Sequence, residues 1–173
     1  MTCLALLCVS ENAIDTSPNG GIGRLDSCQF IGNHAQRGGA VWATNPSSTD
    51  NCSLSGNTAF DEGGGMYIQA GTGASDGRIK NSILWSNVAL SAATTEEAQI
   101  PGSPGVFLDV DYSCIQGLSG ILGGSGNIGA PPLFADQDGP DNNLGNADDD
   151  LTLLLGSPCI DTGAPTAAST PPQ

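Results

Sequence analysis

The sequence predicts an all-β chain, a right-handed single-stranded parallel β-helix, on three observations. A short motif recurs three times, its first two copies run into a glycine-rich step and a short strand, and no nearby segment sustains a helical period over three turns. The copies are SCQFIGNHA (27–35), NCSLSGNTA (51–59) and NSILWSNVA (81–89), spaced by 24 and then 30 residues. Each holds a small residue (Cys28, Cys52, Ser82), an apolar residue two positions on (Phe30, Leu54, Leu84), an Asn (Asn33, Asn57, Asn87) and an Ala (Ala35, Ala59, Ala89). Alternation of this kind has the strand period of two. A unit of short strands and Gly/Asn corners cannot bury its apolar face alone, so copies must stack, with equivalent residues about 4.8 Å apart. Phe30, Leu54 and Leu84 then form one inward column and the alanines another.

Taken in order, residues 1–24 read as incomplete N-terminal coils. Met1 to Ser10, MTCLALLCVS, has the apolar run of a signal-peptide core but neither a basic leader nor a small-x-small cleavage site, and fits better as part of a repeat. Gly20 to Gly23, GGIG, follows Asn12 and Ala13 like the tail of an earlier copy. Residues 25–120 hold the repeats, with GGAVWA (38–43) and GGGMYIQA (63–70) as the strands after the first two copies. The recurring Asn is expected to take the left-handed conformation at a tight corner and to bond its equivalents above and below, as a structural ladder of Asn33, Asn57 and Asn87. Six cysteines in a short chain suggest a disulfide framework. Cys28 and Cys52, however, share one repeat position, which points both side chains the same way and favours buried thiols. Residues 121–163 read as a closing segment and 164–173 as a disordered Pro/Ala/Thr tail.

Composition narrows the chemistry. The 173 residues include 25 Gly and 11 Pro but only two Trp, two Tyr and four Phe, which suits one turn-rich domain. Eighteen acidic against four basic residues give a net charge of −14, which excludes nucleic acid as a partner. His34 is the sole histidine, so a multi-His metal site cannot be built and any His-dependent nucleophile must use it; at a corner it reads as an exposed turn residue. No stretch approaches the roughly 18–20 apolar residues of a membrane span.

Phe30-Ile31-Gly32-Asn33 followed by Gly38-Gly39-Ala40-Val41 resembles the FxxN and GGA[ILV] motifs of polymorphic outer membrane protein repeats. The second copy departs from them, with Leu54 for Phe and Gly65-Met66 at the last two positions. GNIGAPPLFAD (126–136) and the segment through GSPCIDTG (156–163) resemble the closing segment of secreted bacterial β-helix proteins. Together these resemblances imply the pectin-lyase-like superfamily and an extracellular or outer-membrane-surface location in a bacterium, but no single activity.

The strongest chemical candidate is the run from Asp136 to Asp150. Six carboxylates at 136, 138, 141, 148, 149 and 150, with Asn142, Asn143 and Asn146 between them, repel one another unless a cation joins them. Hard oxygens on a loop curled at Gly139 and Gly145 suit calcium, with Asp136, Asp138, Asp141, Asp148 and Asp150 as ligands. Asp149→Ala is expected to change little. Gly139 and Pro140 fall where an EF-hand would not place them.

Other motifs carry less. Arg78-Ile79-Lys80 matches a triplet of polygalacturonases, but the NTD and GHG motifs that precede it there are missing. Lyase chemistry would need calcium and a basic residue on a coil face, with only Arg24, Arg37, Arg78 and Lys80 to draw on. Gly124-Ser-Gly126-Asn-Ile-Gly129 matches a dinucleotide fingerprint yet runs into Pro131-Pro132, so no helix follows. Asn51-Cys-Ser53 is a formal glycosylation sequon on the repeat's small-residue position. Trp42, Tyr67 and Trp85 are candidate glycan contacts, though they read as lying in different repeat phases.

The expected function is structural or adhesive display by a non-catalytic, calcium-stabilised surface solenoid, stacking end to end with upstream coils. The alternatives are a polysaccharide lyase or glycoside hydrolase, and a module binding extracellular polysaccharide or cell-surface glycan. A carboxylate pair, or a carboxylate with Arg, on one face would favour the enzyme. Asp26, Asp50 and Asp61 lie near the coils without a paired motif.

Overall fold

A computed structural model describes residues 2–4, 7–8, 14–15, 23–44, 47–70, 75–102 and 104–164. The chain is all-β in these parts, with one short helix and mostly parallel strands in stacked sheets. In the first sheet β1 (Thr2–Leu4), β4 (Gly23–Asp26), β8 (Ser47–Asp50), β12 (Ser75–Lys80) and β15 (Val106–Asp111) lie side by side in that order. The second holds β2 (Leu7–Cys8), β5 (Gln29–Ile31), β9 (Ser53–Ser55), β13 (Ile83–Trp85) and β16 (Cys114–Ile115). The third joins β3 (Ile14–Asp15), β7 (Val41–Thr44) and β11 (Met66–Gln69); the fourth joins β6 (His34–Ala35), β10 (Thr58–Ala59) and β14 (Val88–Ala89). Each strand pairs with its counterpart one repeat away, an arrangement compatible with a β-helix. Of the tail expected to be disordered, residues 165–173 lie outside the described residues, as do Gly20 to Ile22 of the GGIG step and most of Met1 to Ser10.

Alternation sets which side chains face inward. Phe30 pairs with Leu54, Leu54 with Leu84 and Leu84 with Ile115, and all four are fully buried. Leu25, Thr49, Ile79 and Val110 form the inward column of the first sheet, Val41 and Met66 that of the third. Burying an aliphatic or aromatic side chain completely is worth about 1.5–3 kcal/mol, so these columns carry most of the apolar stabilisation. Ala59 and Ala89 pack with Ala98 in a smaller cluster.

The corners repeat as regularly as the strands. Ser27, Asn51, Asn81 and Tyr112 link the first sheet to the second, all with φ between 49° and 56°. Gly32, Gly56, Ser86 and Gly117 do the same at the next corner. The ladder asparagines were expected in that conformation, and here the sequence reading is corrected: the residue before each of them takes positive φ. That frees the amide of each Asn to point along the stack. Asn33 Nδ2 donates to Asn57 Oδ1 at 2.9 Å and Asn57 Nδ2 to Asn87 Oδ1 at 2.8 Å, and each of those oxygens also accepts the preceding backbone N–H. The next rung is supplied from elsewhere in the chain. Gln99 Oε1 accepts from Asn87 Nδ2 at 2.8 Å.

Gln99 reaches that place on α1 (Thr95–Gln99), which Thr94 and Glu97 cap reciprocally. A second ladder runs through the small-residue position. The N–H groups of Cys28, Cys52 and Ser82 donate to Cys52 Sγ, Ser82 Oγ and Ser113 Oγ, while Cys28, Cys52, Ser82 and Ser113 each donate to the carbonyl two residues before. Burial pushes the Cys52 thiol up to about 11. Stacked just after the same corner in neighbouring repeats, these thiols serve as hydrogen-bonding core residues.

After β16 the chain turns back as β17 (Phe134–Asp136) and β18 (Asp150–Leu153), an antiparallel pair. The closing segment then lies along the outer side of the second sheet. Gln137 Nε2 donates to Ser55 Oγ at 2.9 Å, and Ala164 N donates to Asn81 Oδ1 at 2.8 Å. Gly145 sits so close to Gly32 that a Cβ on Gly32 would meet the Gly145 carbonyl oxygen at 1.7 Å. Glycine at 32 is therefore required by both its φ of 63° and this approach.

Candidate functional site

Four groups of side chains bear on function. The acidic run spans the loop between β17 and β18, and three of its carboxylates, those of Asp141, Asp149 and Asp150, accept hydrogen bonds from nearby groups. Asp141 accepts from Asn143 N at 2.9 Å and from Asn146 Nδ2 at 3.1 Å; Asp150 accepts from Thr152 N at 2.9 Å. Asp148 N donates to Asn146 Oδ1, and Asp136 and Asp150 are register partners. Hydrogen bonds from Thr152 hold the Asp150 carboxyl below its usual value. Among the described residues no group of three or more His, Cys, Asp or Glu side chains is placed to hold a metal ion. Asp136, Asp138, Asp141, Asp148 and Asp150 are thus strung along the loop and not gathered into one ligand set.

Asp149, set aside by the sequence reading, has a definite place. One oxygen accepts from Gly145 N at 2.8 Å, holding the turn that rests on Gly32, and the other is buried with no hydrogen-bond partner among the described residues. Burial raises its carboxyl above the usual value, and the nearby Asp148 and Asp141 add to the shift.

The first sheet carries a column of charge on its outward side. Strand register aligns Arg24, Ser48, Arg78 and Asp109, and beside them Asp26, Asp50, Lys80 and Asp111. Asp50 lies between two guanidinium groups, 3.9 Å from Arg24 and 3.5 Å from Arg78, while Asp26 pairs with Arg24 at 3.0 Å. Hydrogen bonds from Asn51 and Ser27, with Arg24 beside it, hold the Asp26 carboxyl below its usual value. The sequence names these residues without pairing them, because they flank the repeated motif; the signal for the pairing is the common offset of Asp26 and Asp50 before Cys28 and Cys52.

The aromatic residues need a correction. Trp42 and Tyr67 are register partners in β7 and β11, so they share one repeat phase; only Trp85, opposite Ser55 in the second sheet, stands apart. The Arg37 guanidinium covers Tyr67 at 5.4 Å from the ring centre and pairs with Asp61 and Glu62, leaving Tyr67 buried. His34 is exposed on β6 opposite Thr58. Asn51 of the formal sequon is exposed and donates to Asp26 at 3.0 Å.

The fourth group was not anticipated. Cys114, on β16, and Cys159, in the closing segment, line one cavity. Sequence separation hides this pairing, because neither residue sits on the repeat's small-residue position. No protein-family model matches this chain, and no curated protein or solved structure matches it either.

Proposed function

We propose that the chain is a right-handed parallel β-helix of the pectin-lyase-like kind, exported or held at a bacterial surface, whose role is structural or adhesive display without catalysis. The observation that carries this reading is the fate of its polar side chains. The asparagines are spent on the ladder, the small residues on a second ladder, and Asp50 lies between Arg24 and Arg78. A general acid acting near neutral pH needs a raised pKa. Asp26 is shifted the other way.

Calcium belongs to this proposal as the cation that Asp136, Asp138, Asp141, Asp148 and Asp150 would take up, drawing together ligands that the described geometry leaves apart. Isothermal titration with calcium tests it: saturable binding lost in Asp138→Ala supports the site, and no heat removes calcium from the reading.

One observation favours a second reading, a polysaccharide-acting enzyme. Asp26 and Asp50 with Arg24 and Arg78 are the carboxylate-with-arginine face that such chemistry uses. Incubation with acidic and neutral polysaccharides, with and without calcium, separates the readings. Retention on a polymer without new chain ends is expected of adhesion. Release of reducing or unsaturated ends, lost in Asp26→Asn or Asp50→Asn, would replace the proposal with the enzyme.

A further inference from the structure

We propose that Cys114 and Cys159 form a reversible disulfide that fastens the closing segment to the outer side of the β16 end of the coil stack. Cys114 aligns with Ile83, and Ile83 with Ser53 and Ser53 with Gln29, a column of outward positions. Gln29 is exposed and Ser53 and Ile83 are half-buried, whereas Cys114 is buried. What covers it is the closing segment, which brings Cys159 over it; both residues line one cavity together with Cys52, Tyr112, Ile128 and Leu153.

The two residues are held in place independently. Cys114 Sγ donates to Ala130 O at 3.3 Å, and the Cys159 backbone N–H donates to Ser157 Oγ, which in turn donates to Pro132 O. Cys159 is half-buried and so open to a small reagent. Cys28 and Cys52 offer a contrast, since both are buried and bond backbone carbonyls.

The oxidant is a low-molecular-weight disulfide. The Cys159 thiolate attacks one of its sulfurs, forming a mixed disulfide and releasing one thiolate. Cys114 gives up its proton and attacks the Cys159 sulfur, displacing the second thiolate. Two protein thiols are oxidised, one small disulfide is reduced to two thiols, and those thiols take up the two protons. The neighbouring Cys114 thiol lowers Cys159 to about 7, and Cys159 raises Cys114 in turn, which fits Cys159 as the first nucleophile.

The test uses the full chain with glutathione disulfide at neutral pH, followed by alkylation, digestion and mass spectrometry. The expected product is a Cys114–Cys159 linked peptide pair, reversed by dithiothreitol, with Cys159 alkylated roughly tenfold or more faster than Cys28 and Cys52 in the reduced chain. Cys114→Ser should then stop at a stable glutathione adduct on Cys159. Links scattered over other cysteines, or an adduct on Cys159 that persists while Cys114 stays free, would overturn the proposal.

Discussion

Replacing Asn57 by Ala tests the amide ladder where it is most enclosed. Asn57 Oδ1 accepts from both the N–H and the side-chain amide of Asn33, and its Nδ2 donates to Asn87 Oδ1 and to the Phe30 carbonyl at 3.0 Å. Alanine removes all of these in a fully buried setting. Each buried group deprived of its partner costs about 1–3 kcal/mol, and with Asn33 and Phe30 both affected the expected loss is about 3–4 kcal/mol. In urea denaturation followed by circular dichroism and Trp fluorescence, that lowers the midpoint by about 1–2 M at unchanged slope. Asn51→Gly is the control, since it removes an exposed amide at a φ of 56° that glycine accepts. Its expected cost is within about 0.5 kcal/mol. If Asn57→Ala costs no more than Asn51→Gly, the ladder contributes nothing beyond its apolar surroundings and the reasoning fails.

Gly32→Ala and Gly56→Ala share a positive φ but differ in space: the new methyl meets Gly145 O at 1.7 Å in the first and Gly145 Cα at 3.1 Å in the second. Gly32→Ala should cost about 1–3 kcal/mol more and expose the 137–149 loop to limited proteolysis; equal costs would place the loop away from Gly32. The Asp26 carboxyl is held below its usual value near 3.8, so its contribution is present above that pH and lost as pH falls through the lower folded value. The melting-temperature gap between the unsubstituted chain and Asp26→Asn should therefore close below about pH 4, and a gap constant with pH would contradict the hydrogen bonds assigned to the ionised form. Once the Cys114–Cys159 bond has formed, closing a loop of about 45 residues should stabilise the fold by up to about 4 kcal/mol, read as a melting-temperature rise that dithiothreitol reverses.

Much of the architecture was legible because the repeat is a register. The residues that align in sequence, Phe30 with Leu54 and Leu84, and Asn33 with Asn57 and Asn87, are those that meet across neighbouring strands. The fourth rung was missed for a physical reason: Ser113 and Ile115 continue the pattern, but Leu118 stands where the ladder Asn would be, and Gln99 fills the place from a helix. That helix is too short for a period to show, although Thr94-Thr95-Glu96-Glu97 is a capping sequence. The charge column depends on strand ends, where the motif is silent. The approaches of Gly145 to Gly32 and of Cys159 to Cys114 depend on where a loop lands, which local pattern does not encode.

The route of the closing segment has a mechanical consequence. Gln137 meets Ser55, Gly145 meets Gly32 and Gly56, Cys159 lies by Cys114 and Ala164 meets Asn81, so the segment touches all four repeat levels, though not in order. Hydrogen bonds between parallel strands one repeat apart run from each level to the next and would open level by level under tension, like a zip. A strap crossing those levels shares the load among them, so pulling on the described part of the chain should yield one large rupture where an unstrapped stack would give a series of small ones.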